Sequence, residues 1–310
     1  MGKYIITRIL QSFLVLMLVA TITFLLMNMV PGSPFLSEKP PSPEVMEQLN
    51  KKYGLDKPLS VQLKKYLINT LKLDFGVSLK MQKNRPVIEI IKEMFPTSAK
   101  IGLIALSWSI LVGLPLGCLA AYHRGDGVDS FLRVLTTIGI SVPGFVVATL
   151  LLIFFGVKLK MLPTMGLGKV SAYILPCFSL GFNPMCYIAR LSRSSMLDVI
   201  NQDYIRTARA KGVPASKILF KHALRNAFIP VLTYLGPLTA SILCGSFVVE
   251  SVFSLPGMGR YFINSILNRD YPIIMATTIF FAALVIFMNL VVDILYKFVD
   301  PRIDITKGGN

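Results

Sequence analysis

Six long runs without a single charged residue dominate this 310-residue chain. They lie near 9–30, 101–122, 134–157, 170–189, 227–249 and 271–292. A run of about 20 apolar residues crosses a bilayer as a helix, the one open-ended structure that satisfies its own backbone hydrogen bonds. Composition agrees, with 54% hydrophobic residues and 15% charged, where a soluble chain carries about a quarter charged. The expected fold class is therefore all-α, a polytopic membrane protein with six transmembrane helices. The first run reads as an uncleaved anchor. Its apolar core is too long for a signal peptide, and Met29-Val30-Pro31 offers no small-residue cleavage site.

The formal net charge of +16 raises nucleic acid as a partner, but its placement argues against it. With the N-terminus inside, the inner segments carry 15 Lys and Arg and the two short outer ones 5. The remaining 12 lie in the outer segment 31–100, which is too long to count toward the positive-inside rule. Both termini are expected in the cytoplasm. The basic groups then serve orientation and contact with anionic lipid.

The outer segment 31–100 carries helix punctuation that a linker does not need. Ser42-Pro43-Glu44 starts a helix over about 43–53, which Gly54 stops. Pro58 opens a second over about 58–72, and Pro86 a third. In the third, Val87, Ile90, Ile91 and Met94 form an apolar stripe beside Glu89, Lys92 and Glu93. That helix is expected to lie on the membrane surface or on its neighbours.

The runs themselves are chemically plain. None holds Asp, Glu, Lys, Arg or His, which counts against an ion-coupled secondary transporter or a channel. His123 and His222 have no partner motif, and no nucleophile–base pair or phosphate-binding loop is present. The chain is read as a non-enzyme without cofactor or metal sites of its own. Cys118, Cys177, Cys186 and Cys244 all fall inside runs and read as small packing residues. Gly113-x-x-x-Gly117 permits close approach of another helix, and Pro143-Gly144 predicts a kink in the third run.

Residues 201–230 read NQDYIRTARAKGVPASKILFKHALRNAFIP. Asn201 or Asp203 is placed to cap a short helix over 204–211. Gly212 falls where a helix ends at positive φ. Pro214 suits the first turn of a second helix through Lys217, Phe220 and Leu224. Helix, corner and helix between two spans make a rigid handle. A second irregular segment follows the fifth run. There Phe253, Pro256, Gly257 and Gly259 suit a re-entrant turn, tolerated at membrane depth only where it is buried in protein or faces a cavity. It is expected to gate the outer end of a pathway.

The 201–230 stretch resembles the cytoplasmic EAA loop of permease subunits in ATP-binding-cassette (ABC) importers. Arg206, Thr207 and Ala208 fall on the Glu-Ala-Ala positions and Gly212 on the Gly. The first two depart from the general pattern in the way the peptide-permease branch does, whose loops read much like DYIRTARAKG followed by HALRNA. Arg225 stands where many importers carry Pro. RILQSF…VPGSP, YGLDKPL, LDFGVS, MFPTSAKIGL, SVPGF…LPTMG, E-x-x-F-x-x-PG-x-G and RDYP extend the resemblance over nearly the whole chain. It is identified as a member of the OppB/DppB-like branch.

The resemblance implies a type I ABC importer permease fold in a bacterial plasma membrane. It implies an extracytoplasmic helical segment at 31–100 after the segment 1–30. A permease core at 101–298 follows, with its coupling loop at 190–226 and a cytoplasmic tail at 299–310. Asp203, Tyr204, Arg206, Thr207, Ala208, Arg209, Ala210, Gly212 and Pro214 would engage an ATPase. Its partners would be an OppC/DppC-like second permease, two OppD/OppF-like ATPases that bind ATP and Mg, an extracytoplasmic peptide-binding protein and the peptide. Import of nickel or another metal chelate is the alternative within the branch.

Overall fold

The computed structural model describes residues 2–29, Glu44, Glu47, Gln48, Lys51, 54–214, Lys217, Ile218 and 223–299. The described residues are mostly helical, with a single isolated bridge between Val77 and Pro86 and no sheet among them. The helices are α1 (Gly2–Met29), α2 (Leu59–Leu71), α3 (Val87–Tyr122), α4 (Gly127–Ser141) and α5 (Gly144–Leu151). They continue as α6 (Ile174–Ile200), α7 (Asp203–Ala210), α8 (Leu224–Leu243), α9 (Phe247–Val252), α10 (Met258–Leu267) and α11 (Tyr271–Val299). Among the described residues, five helices are long and apolar enough to cross a membrane, or six if the bent pair Gly127–Ser141 and Gly144–Lys158 counts as one span.

The chain separates into two compact units, Met1–Pro96 with Arg260–Ile286 and Thr97–Gly259 with Phe287–Asn310. In the first, α1 meets α2 through Phe24 stacked on Tyr66 at 5.3 Å. The rest of α1 exposes Ile9, Leu10, Phe13, Leu14 and Leu18, as a helix solvated by lipid does. Phe95 and Phe280 meet edge to face at 4.8 Å.

The second unit is built on α6, against which α4, α5 and α8 pack and which α3 also meets. The spacing Gly113-x-x-x-Gly117 brings α3 onto it. A Cβ at Gly113 would lie 2.6 Å from the Met185 carbonyl oxygen. At Gly117 a Cβ would fall inside contact distance of Ala189 and Ser192. No side chain fits either place, so the backbones touch. One turn pair outward, Trp108 stacks on Phe178 at 5.0 Å and its Nε1 donates to the Cys177 carbonyl at 2.8 Å. All four cysteines are free thiols.

Two sequence expectations need correction, the separate helix at Pro86 and the cap of α7, and two are sharpened, the kink at Pro143 and the fifth span. The helix opened by Pro86 is not a separate surface helix. It runs through Pro96 as the first turns of the 36-residue α3, with Val87, Ile90 and Ile91 buried. One missing N–H at Pro96 is outweighed by apolar packing on both sides of it. The kink at Pro143 is a break of 99° between α4 and α5. Val142 and Pro143 both take extended ψ, 123° and 138°, because a residue before proline is disfavoured in the helical region. Within the fifth span, which runs over Leu224–Val252, the helix α8 stops at Leu243. Gly245 takes φ +88°, and α9 starts afresh with Ser246 Oγ accepting from the Val249 N–H at 3.3 Å. Prolines 230 and 237 lie inside α8 without ending it. Finally, neither Asn201 nor Asp203 caps α7. Gln202 holds that position by backbone conformation, φ −74° and ψ 152°, while the Asn201 side chain turns back to the Leu197 carbonyl. The helix expected over 43–53 lies largely outside the described residues.

Candidate functional site

α7 is amphipathic, and its apolar side has one anchor. Ile205 is completely buried among Cys118 and Ala121 of α3, Met196 of α6, and Ile218, Ala223 and Ala227. Ala208, one turn on, packs against the same cluster. Asp203, Tyr204, Arg206, Thr207, Arg209 and Ala210 are exposed. Asp203 and Arg206 pair at 3.5 Å across one exposed turn. The Tyr204 hydroxyl accepts from Asn226 Nδ2 at 2.8 Å, tying α7 to the first turn of α8.

The end of α7 is set by Gly212 at φ +74°. Its N–H donates to the Arg209 carbonyl at 2.9 Å, and the Val213 N–H to the Ala208 carbonyl at 3.2 Å. This is the paired closure that satisfies the last helix carbonyls and needs a left-handed residue at its corner. Val213 then folds onto the same apolar cluster as Ala208. The Pro214 carbonyl accepts from the Ile218 N–H at 3.0 Å. Eight of the nine residues expected to meet an ATPase are thus brought together on one exposed element. Ala208 is the exception, since it faces inward to its own chain.

An ion pair braces the same end of the bundle. Asp129, in the first turn of α4, is 1% exposed. It accepts from Arg193 of α6 at both oxygens, Nε at 2.6 Å and Nη2 at 2.8 Å. The Gly125 N–H adds a third bond at 3.1 Å, and Arg133 Nε lies 3.6 Å away. In the sequence Asp129 stands between the second and third apolar runs. No local pattern marks a partner 64 positions away.

The segment from Gly245 to Gly259 is a knot folded around a carboxylate. Glu250 is 2% exposed. Its Oε1 accepts from Ser98 Oγ of α3 at 2.7 Å, and Ser98 Oγ accepts from the Met258 N–H at 2.7 Å. The Glu250 carbonyl takes the Leu255 N–H at 2.7 Å. Gly257 and Gly245 close over the carboxylate so tightly that a Cβ on either would overlap it. Of the four residues expected to form an outer gate, Phe253, Gly257 and Gly259 are buried and Pro256 is exposed. Phe253 packs with Ile101, Ala148, Leu175 and Leu255. Glu250 was missed as a site residue. The signal was there, a lone acid followed by two glycines and a proline within nine positions.

Asp270 plays a similar part in the other unit. It is fully buried and accepts from Ser78 Oγ at 2.6 Å and from the Leu79, Lys80 and Met81 N–H groups at 3.1, 3.0 and 3.0 Å. Three successive N–H groups converging on one carboxylate fix the turn 78–81 as a charged ligand would. Burial, then the nearby Asp270 carboxylate, raises the pKa of the Tyr261 phenol above its usual range. No group of three or more metal-ligating side chains occurs among the described residues.

Residues 113–305 match the family described as binding-protein-dependent transport system inner membrane component, and residues 1–102 match the family of its N-terminal portion. The chain belongs to this family. The chain is 44% identical over the whole of both sequences to the dipeptide transport system permease protein DppB of Bacillus subtilis. Identity to the oligopeptide transport system permease protein OppB of Haemophilus influenzae is 43%, covering 98% of this chain and 99% of that one. The OppB of Escherichia coli K12 is 40% identical over the same shares. Among solved structures, the inward-facing MetNI methionine ABC transporter aligns over 68% of this chain and 97% of its own. Its TM-score is 0.56 at 17% identity. An amino acid ABC transporter aligns at 0.53 and 18% over 68% and 94%. At that identity the likeness shows the fold, that of an ABC importer permease. The inner membrane component is a multi-pass membrane protein.

Proposed function

We propose that this chain is a transmembrane permease subunit of an ATP-driven importer for dipeptides or oligopeptides, forming half of the pathway. The observation that carries the reading is α7. It is a short helix between two spans, anchored inward by Ile205 and closed by Gly212, with a polar outer face. A force on that face is transmitted to α3, α6 and α8 through one packed cluster. Full-length identity to peptide permeases supports the cargo class.

In this reading the chain hydrolyses nothing and binds no cofactor. Two ATPase subunits bind ATP and Mg and seat α7, and a second, homologous permease completes the pathway. An extracytoplasmic binding protein delivers peptide, docking on the outer segment 31–100. Both termini are cytoplasmic, with the coupling loop at 190–226 and the tail 299–310 on that side and the core at 101–298 between. The knot at 245–259 holds the outer end of the pathway. Peptide is held there by shape and backbone contacts.

The test is uptake of a labelled dipeptide into proteoliposomes holding the full complex, with ATP inside and binding protein outside. Uptake that requires both supports the reading. Uptake of a nickel chelate in place of peptide moves the cargo, and uptake without ATP refutes the class.

A further inference from the structure

Near the end of the bundle that carries α7, the second unit contains a cavity of about 260 Å³. Its walls come from α3 (Leu116, Ala120), α4 (Leu132, Arg133, Thr136, Thr137) and α6 (Ala189, Arg190, Arg193, Ser194). Three arginines on two helices face one volume with a single carboxylate, Asp129, beside them. Asp129 engages two of the five N–H donors of Arg193. Arg133 stands 3.6 Å from the same carboxylate and is half exposed. Arg190 makes no ion pair among the described residues and is exposed. The local balance is therefore two positive charges in excess, held where α4 begins and α6 leaves its apolar stretch.

The remaining walls decide which anion fits. Leu116, Ala120, Leu132 and Ala189, four of the ten lining residues, are apolar and stand on helices that cross the membrane. A free anion has no use for that side, whereas a lipid places its phosphate among the arginines and its glycerol and upper acyl carbons against it. Guanidinium groups favour phosphate because their planar N–H pairs match its oxygens. The depth is also right, because basic pockets between spans at the headgroup level suit anionic lipid headgroups.

We propose that Arg133, Arg190 and Arg193 form a binding site for the phosphate of an anionic phospholipid seated between α4 and α6. Asp129 positions Arg193 in it. The lipid bridges α4 to α6 beside the cluster on which α7 rests, so its occupancy stiffens the support of α7. The inference rests on the membrane reading and is independent of the cargo.

The experiment uses the purified importer complex in nanodiscs of phosphatidylcholine with increasing phosphatidylglycerol, bound anionic lipid being counted by native mass spectrometry. Arg193 is left intact because it holds Asp129. Arg133→Gln with Arg190→Gln should weaken phosphatidylglycerol binding on the order of 30-fold, two basic groups each contributing about a tenfold factor or less. Arg124→Gln with Lys217→Gln removes equal charge at the same end, outside the cavity, and should leave binding unchanged. Assembly with the ATPases, checked by gel filtration, shows that the double variant folds. Equal loss in both doubles, or none in the first, overturns the site. So does inorganic phosphate displacing the lipid completely at the same two arginines, which would assign the cavity to a free anion.

Discussion

Gly257→Ala puts one methyl group into the knot at 245–259. Gly257 is not among the glycines at positive φ, so the backbone accepts alanine and any penalty is steric. The new Cβ would lie 2.5 Å from both carboxylate oxygens of Glu250 and closer still to its Cδ. Overpacking of this kind costs about 1–3 kcal/mol. The carboxylate has little room to retreat, because Ser98 holds one oxygen at 2.7 Å and the backbone of Gly245 walls the same side. Displacing it from a charged, buried hydrogen bond adds about 1.5–3 kcal/mol. The substitution should destabilise the second unit by about 3 kcal/mol, measured as the unfolding free energy of the purified protein in mixed micelles. Glu250→Ala removes the clashing group, so in that background Gly257→Ala should cost less than about 1 kcal/mol. The coupling energy of the cycle should then be about 2 kcal/mol. Peptide uptake should fall with Gly257→Ala in complexes that still assemble. Wild-type stability of Gly257→Ala, or equal cost in both backgrounds, would refute the steric account of the knot.

Three further outcomes follow from the geometry. Gly212 has open space around its Cβ position, so Gly212→Val should cost only the left-handed strain, about 1–2 kcal/mol. It should leave insertion intact but weaken ATPase capture in pull-downs and uncouple ATP hydrolysis from uptake. Wild-type coupling would make 201–214 a linker. Asp270→Asn removes the charge that gathers the 79–81 amides and should cost about 2–3 kcal/mol. Faster amide exchange confined to 78–86 and the start of α11 is the expected readout, and unchanged exchange there would remove the clamp from the account. Single cysteines at Ser42 and Ser216 should label from opposite sides of sealed vesicles, and labelling of both from one side would reject the orientation.

Most of the architecture was legible because hydrocarbon imposes a single rule. A chain that crosses it must be apolar, continuous and helical, and the six runs state that directly. Gly212 was readable for a similar reason, since one backbone closure demands one residue type. Gly113 and Gly117 could be paired with a neighbouring helix, though not with α6 in particular. What only the tertiary structure decided concerns partners far apart in the chain. Asp129 finds Arg193, Glu250 finds Ser98, and Asp270 finds the turn at 78–81. Each is a carboxylate just outside an apolar run, where sequence position suggests water. Burial comes from segments tens to hundreds of residues away, and no periodicity carries that information. The same holds for Ala208, whose small side chain suits either face of α7. Only the docking of Ile205 turned it inward, because an amphipathic helix takes its rotation from what it packs against.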